Sequence, residues 1–151
     1  MSKIQKVLVT GKTHTTPSDA AIISGNHEGN VDIKLSSPGN SAAREYVFVA
    51  IQPHPTAEQL FAGAWSACFI GAVSFVAKEM EVKLPAETAV DIEVDLGMTG
   101  NEFFLQARIN LNLPGIAPDV ATAIAHAADA MCPYSKATRG NINVVVTVTK
   151  T

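Results

Sequence analysis

Polar and apolar residues exchange places along this chain in two rhythms. In "TAVDIEVDLGM", Val90, Ile92, Val94, Leu96 and Met98 recur at every second position, with Asp91, Glu93 and Asp95 between them. That period of two predicts a half-buried strand with a wet outer face. "NEFFLQARINLNL" follows the turn signal Thr99, Gly100 and Asn101, so the two segments predict an antiparallel hairpin. "KIQKVLVTGK", with Ile4, Val7 and Val9, and "NVDIKLSSP", with Val31, Ile33 and Leu35, read as further strands, and "NINVVVTVTK" as the last. "SSPGNSAAREYVFVAIQPHPT" reads as a connection holding a short strand over residues 44–51, which Pro53 and Pro55 end.

The second rhythm belongs to two helices. Thr56 followed three residues later by Gln59 fits a capping box, and Glu58 lies in the first turn where negative charge is favoured, so a helix begins near Thr56. Residues 60–77 carry no charge, a run long enough to raise a membrane span. The many small residues among them (Ala62, Gly63, Ala64, Ser66, Ala67, Gly71, Ala72, Ser74) suit close packing on all sides. In a chain that otherwise alternates as soluble sheet proteins do, an all-round apolar helix reads as the central core helix. "APDVATAIAHAADAMC" predicts the second helix, with Pro118 in its first turn and Asp119 at its positive end. Strands, helix, strands, helix, strand is an α+β order, and 151 residues suit one domain, 1–151.

Charge narrows the function classes. Eleven basic residues stand against fourteen acidic, a net charge of −3, without a basic run to track phosphates or an anionic leaflet. Neither nucleic acid nor a membrane is expected as a partner. The opening "MSKIQKVLVTGK" lacks a secretory pattern, so the expected address is the cytoplasm. His14, His27, His54 and His126 show no ligand-like spacing, and there is no phosphate loop or nucleophile elbow. No metal and no bound cofactor are expected.

Chemistry then rests on two cysteines, too few for a disulfide scaffold. Cys68 sits in the middle of the apolar helix and, taken alone, reads as core packing, since most buried thiols are inert. Cys132 ends the second helix before Pro133, where an accessible thiol is expected, and in a reducing compartment a pairing of the two would be transient chemistry.

"EQLFAGAWSACF" and "CPYSKATRGNINV", with the opening "MSKIQKVL" and "VDIKLSSP", resemble the OsmC/Ohr superfamily of thiol peroxidases, and most of all its organic hydroperoxide resistance branch. The resemblance implies an OsmC/Ohr-like α+β fold, an antiparallel sheet with a central buried cysteine-bearing helix, and an intertwined homodimer with sites at the subunit interface. It also implies that Cys68 is the peroxidatic and Cys132 the resolving cysteine of an organic hydroperoxide reductase. The regenerating dithiol would be a lipoyl group on a partner protein, or another dithiol. Trp65, Phe69 and Met131 are placed to line an apolar substrate approach, although each reads equally well as core.

One departure stands out. The family activates its peroxidatic thiol with an arginine from a "GGR" loop, held by a glutamate. Glu58 matches the glutamate, but the corresponding stretch, "THTTPSDAAIIS", has no arginine. Arg44 is the candidate replacement, with a solvated loop residue as the alternative; Arg108 lies on the polar side of a strand, and Arg139 is expected to anchor the turn after Cys132. Glu58 and Cys68 lie roughly 15 Å apart along a straight helix, so Glu58 reaches the thiol only through a long arginine, a helix break near Gly63, or a partner subunit. The second functional reading is a redox-sensing or apolar-ligand-binding relative whose peroxidase activity is weak or lost.

Overall fold

A computed structural model of the chain describes residues 2–17 and 55–149. The predicted strand of Val31, Ile33 and Leu35, the predicted strand over residues 44–51 and Arg44 itself lie outside them. The described elements are strand β1 (Lys6–Thr15), helix α1 (Ala57–Glu79), strands β2 (Ala89–Thr99) and β3 (Glu102–Asn112), helices α2 (Pro118–Met131) and α3 (Pro133–Thr138), and strand β4 (Asn143–Val148). They form one sheet in the order β1-β2-β3-β4. The α+β architecture matches the sequence pattern. The sheet departs from fully antiparallel at its last pair, where β4 runs parallel to β3. A parallel neighbour needs a crossover, and α2 and α3 supply it by carrying the chain back over the sheet before β4 begins.

The hairpin forms as predicted. Thr99 pairs with Glu102 across a two-residue loop in which Gly100 has φ of +59°, a conformation open to glycine at little cost. Val90, Ile92 and Val94 face Leu111, Ile109 and Ala107 across the β2–β3 ladder, and all six are buried beneath the helices. Val144, Val146 and Val148 extend that apolar surface onto β4, while Val145 points to the exposed side.

Two strand expectations need correction. In β1 the register against β2 shifts between Val7 and Val9, so that Leu8 is an extra residue and Val7 is left exposed. The bulge breaks the alternation read from Ile4, Val7 and Val9. On the outer face of β2, Asp95 is not wet but 2% exposed. Arg108 grips it with two guanidinium nitrogens, Nη1 at 2.6 Å and Nη2 at 2.9 Å, and Thr10 and Gln106 also donate to it. Arg108 Nε reaches Glu93 at 2.8 Å, and Lys12 bonds the same carboxylate.

Helix α1 starts where the sequence placed it. Thr56 accepts from the Gln59 backbone, and the Gln59 side chain accepts from the Thr56 N–H, a complete capping box. By length and composition α1 could cross a bilayer. It packs instead as the centre of this fold, against β1 and β2 on one side and α2 and α3 on another. Trp65, Phe69 and Val73 are fully buried there, each burial contributing roughly 2–3 kcal/mol. The start of α1 sits unusually close to β1: a Cβ added at Gly11 would lie 2.4 Å from the Gln59 backbone nitrogen. Glycine at position 11 is what permits that approach.

Candidate active site

Cys68 and Cys132, 64 residues apart in sequence, come together with their Sγ atoms 2.8 Å apart. Cys68 is carried near the middle of α1, and Cys132 is the single residue between α2 and α3. It closes one helix and opens the next: its N–H donates to the Ala128 carbonyl at 2.8 Å, and its own carbonyl accepts from the Lys136 N–H at 3.0 Å. Pro133, which cannot continue α2 but suits the first turn of a helix, enforces the change of direction.

The expectation that Cys132 is accessible is not met. It is fully buried, while Cys68 is half-buried. The chain does not simply stop at Pro133: α3 folds back onto α1 and α2 and covers the second thiol. Both cysteines are free, and closing the gap to a bond of ~2.05 Å takes less than about 1 Å of movement.

Burial pushes the Cys68 thiol above its ordinary pKa, and the adjoining Cys132 adds to the rise. The Tyr134 backbone N–H, in the first turn of α3, bonds to Cys68 and opposes the shift. The described arginines are engaged elsewhere. Arg108 is bound to Asp95 and Glu93 on the far side of the sheet. Arg139 donates from Nη2 to the Asp129 carboxylate at 2.8 Å and to the Asp129 carbonyl at 3.0 Å, anchoring the turn after α3 as expected.

Glu58 lies half-buried in the first turn of α1, and α1 runs unbroken through Gly63. The helix break is thereby removed from the ways in which Glu58 could reach Cys68. Trp65 and Phe69 contribute no surface in this chain, whereas Met131, next to Cys132, is exposed. Two residues near the thiols escaped the sequence reading. Tyr134 supplies the amide on Cys68, and the Ser135 hydroxyl accepts from Trp65 Nε1 at 3.1 Å. The signal was present in "CPYS": a proline directly after Cys132 marks the start of a new helix as well as the end of an old one. Among the described residues no group of three His, Cys, Asp or Glu side chains is arranged to hold a metal.

The chain is similar to known proteins along most of its length. Residues 51–147 match the family described as OsmC-like protein. An organic hydroperoxide resistance protein from Xanthomonas axonopodis pv. citri is 34% identical over 149 residues, 98% of this chain and 99% of that one. An uncharacterized protein from Acinetobacter baylyi is 42% identical over 87 residues, an alignment spanning 58% of this chain and 61% of the relative's length. The crystal structure of an organic hydroperoxide resistance protein from Elizabethkingia anophelis superimposes with a TM-score of 0.67 at 28% identity, covering 98% of this chain and 100% of the other. The chain belongs to the OsmC/Ohr superfamily.

Proposed function

We propose that this protein is a thiol-dependent organic hydroperoxide reductase. The observation that carries the reading is the pairing of a half-buried Cys68 with a fully buried Cys132, sulfur to sulfur at 2.8 Å. The names of the relatives, organic hydroperoxide resistance proteins, support it. In the first step the Cys68 thiolate attacks the terminal oxygen of the hydroperoxide. The O–O bond breaks, the alcohol leaves with the proton that Cys68 gave up, and Cys68 becomes a sulfenic acid. The Cys132 sulfur then attacks the Cys68 sulfur, forming the disulfide and releasing water. A dithiol, for which a lipoyl group on a partner protein is the proposed source, reduces the disulfide by exchange and is itself oxidised to a cyclic disulfide.

The unequal burial fits this division of roles, because the attacking thiol must meet a substrate and the resolving thiol need meet only Cys68. Met131 lines the proposed apolar approach from the surface, with Trp65 and Phe69 as its underlying wall. Arg44 is proposed as the charge that favours the Cys68 thiolate, held by Glu58. A homodimer is part of the proposal: Ala64, Ala67, Gly71 and Phe75 lie exposed along the face of α1 that carries Cys68, a low apolar stripe suited to a second copy. The proposed setting is the cytoplasm, where dithiol reductants are supplied.

The raised pKa of Cys68 favours one second reading, a redox sensor with slow turnover. Steady-state turnover of cumene hydroperoxide with dihydrolipoamide separates the two. A reductase turns over many times, Cys68→Ser abolishes turnover, and Cys132→Ser leaves one round of reduction with oxidised Cys68. A single slow oxidation of the unaltered protein, without turnover, establishes the sensor.

A further inference from the structure

The two thiols are flanked by a second, hydroxyl-to-indole pairing at matched positions. Trp65 lies three residues before Cys68 on α1, and Ser135 lies three residues after Cys132 on α3. Trp65 Nε1 donates to Ser135 Oγ at 3.1 Å, with Trp65 fully buried and Ser135 3% exposed. Three residues are close to one helical turn, so each partner stands about one turn from its cysteine and the bond spans the same α1–α3 seam as the sulfurs. The far end of α3 is fastened separately, by Arg139 to Asp129 of α2.

We propose that Trp65 and Ser135 are positioning residues for the thiol pair, their buried hydrogen bond holding the start of α3 against α1 and so keeping Cys132 within bonding reach of Cys68. Both partners are desolvated where α3 packs on α1, so loosening that seam forfeits a buried hydrogen bond along with the packing. That penalty confines Cys132 before any disulfide forms. By linkage the two connections favour each other: the tether promotes the disulfide, and the disulfide strengthens the tether. The consequence for turnover, a shorter-lived sulfenic acid on Cys68, rests on the reductase reading. The positioning itself does not.

The test is therefore a thiol–disulfide equilibrium, without peroxide. The full chain is equilibrated with graded ratios of oxidised and reduced dithiothreitol, and the Cys68–Cys132 disulfide is counted by mass after trapping free thiols. Each exchange consumes one oxidised dithiothreitol, oxidises the two cysteines and yields one reduced dithiothreitol. Ser135→Ala and Trp65→Phe are each expected to move the midpoint about five- to tenfold toward the reduced protein. The double variant is expected to move it no further than the larger single effect, because both remove the same bond. Ser66→Ala, which removes a buried hydroxyl contact from α1 to Thr15 of β1, leaves the midpoint unmoved. Ser135→Ala is a small deletion, and a shift in the emission of the chain's single tryptophan checks the lost bond in the folded protein. An unmoved midpoint in Ser135→Ala, or a double variant that shifts by the product of the two singles, overturns the proposal. Failure of the reductase reading shows itself separately, as absence of hydroperoxide turnover in a protein whose disulfide equilibrium still depends on Ser135.

Discussion

Cys68 experiences opposed influences that its neighbours make explicit. Burial and the adjoining Cys132 favour the protonated thiol, and the Tyr134 amide favours the thiolate. If Arg44 supplies the missing positive charge, its removal must raise the pH at which Cys68 becomes reactive. Arg44→Ala is therefore expected to shift the pH profile of Cys68 alkylation by iodoacetamide upward, with the adduct located by mass; an unchanged profile removes Arg44 from the site. Asp95 offers a second residue-level test. Burial by itself would raise its pKa, but hydrogen bonds from Arg108, Gln106 and Thr10 and the Arg108 charge outweigh it and hold the carboxyl at about 2. A folded pKa below the unfolded one means that the stabilisation is complete above about pH 4 and disappears as pH falls through about 2. Asp95→Asn is expected to cost ~2 kcal/mol in urea unfolding at neutral pH, with the gap to the unaltered protein closing toward pH 2. A gap of the same size at both ends contradicts this account. At this scale the cysteines were legible because each sits in a distinctive motif, whereas the burial of Asp95 was not, since it depends on Arg108 and Gln106 arriving from another strand.

Local rules explain where the elements begin. The capping box of Thr56 and Gln59 and the Pro118 start of α2 were readable because caps and prolines act within a few residues. Thr56→Ala is expected to lower stability by about 1 kcal/mol and to leave the Cys68–Cys132 pairing intact, measured by unfolding and by disulfide counting. Gly11→Ala is expected to be far more damaging. Its new Cβ meets the backbone of Glu58 and Gln59, so β1 and α1 must separate; a melting temperature within a degree of the unaltered protein contradicts the packing. The bulge at Leu8, the parallel direction of β4 and the cover that α3 gives Cys132 stayed hidden for one shared reason. Each is decided by what an element packs against, and the period of two in "NVVVTV" is the same whichever way its neighbour runs.

Across the whole molecule, α1 is a shared organiser. One face carries the fully buried Trp65, Phe69 and Val73 into the core. Another presents Ala64, Ala67, Gly71 and Phe75 to the surface beside Cys68, and a second copy is the proposed cover of that stripe. Gly71→Glu, on that stripe and with open space around it, is expected to convert a dimer to a monomer in sedimentation velocity while leaving the fold intact; a monomeric unaltered protein contradicts the dimer. Whether Cys68 and Cys132 form a catalytic redox pair is decided by rapid mixing of the reduced protein with cumene hydroperoxide and, in parallel, hydrogen peroxide, counting the Cys68–Cys132 disulfide by mass at each time. A catalytic pair forms one intramolecular disulfide per chain rapidly, and faster with the organic hydroperoxide. Slow or absent disulfide formation with both oxidants contradicts it.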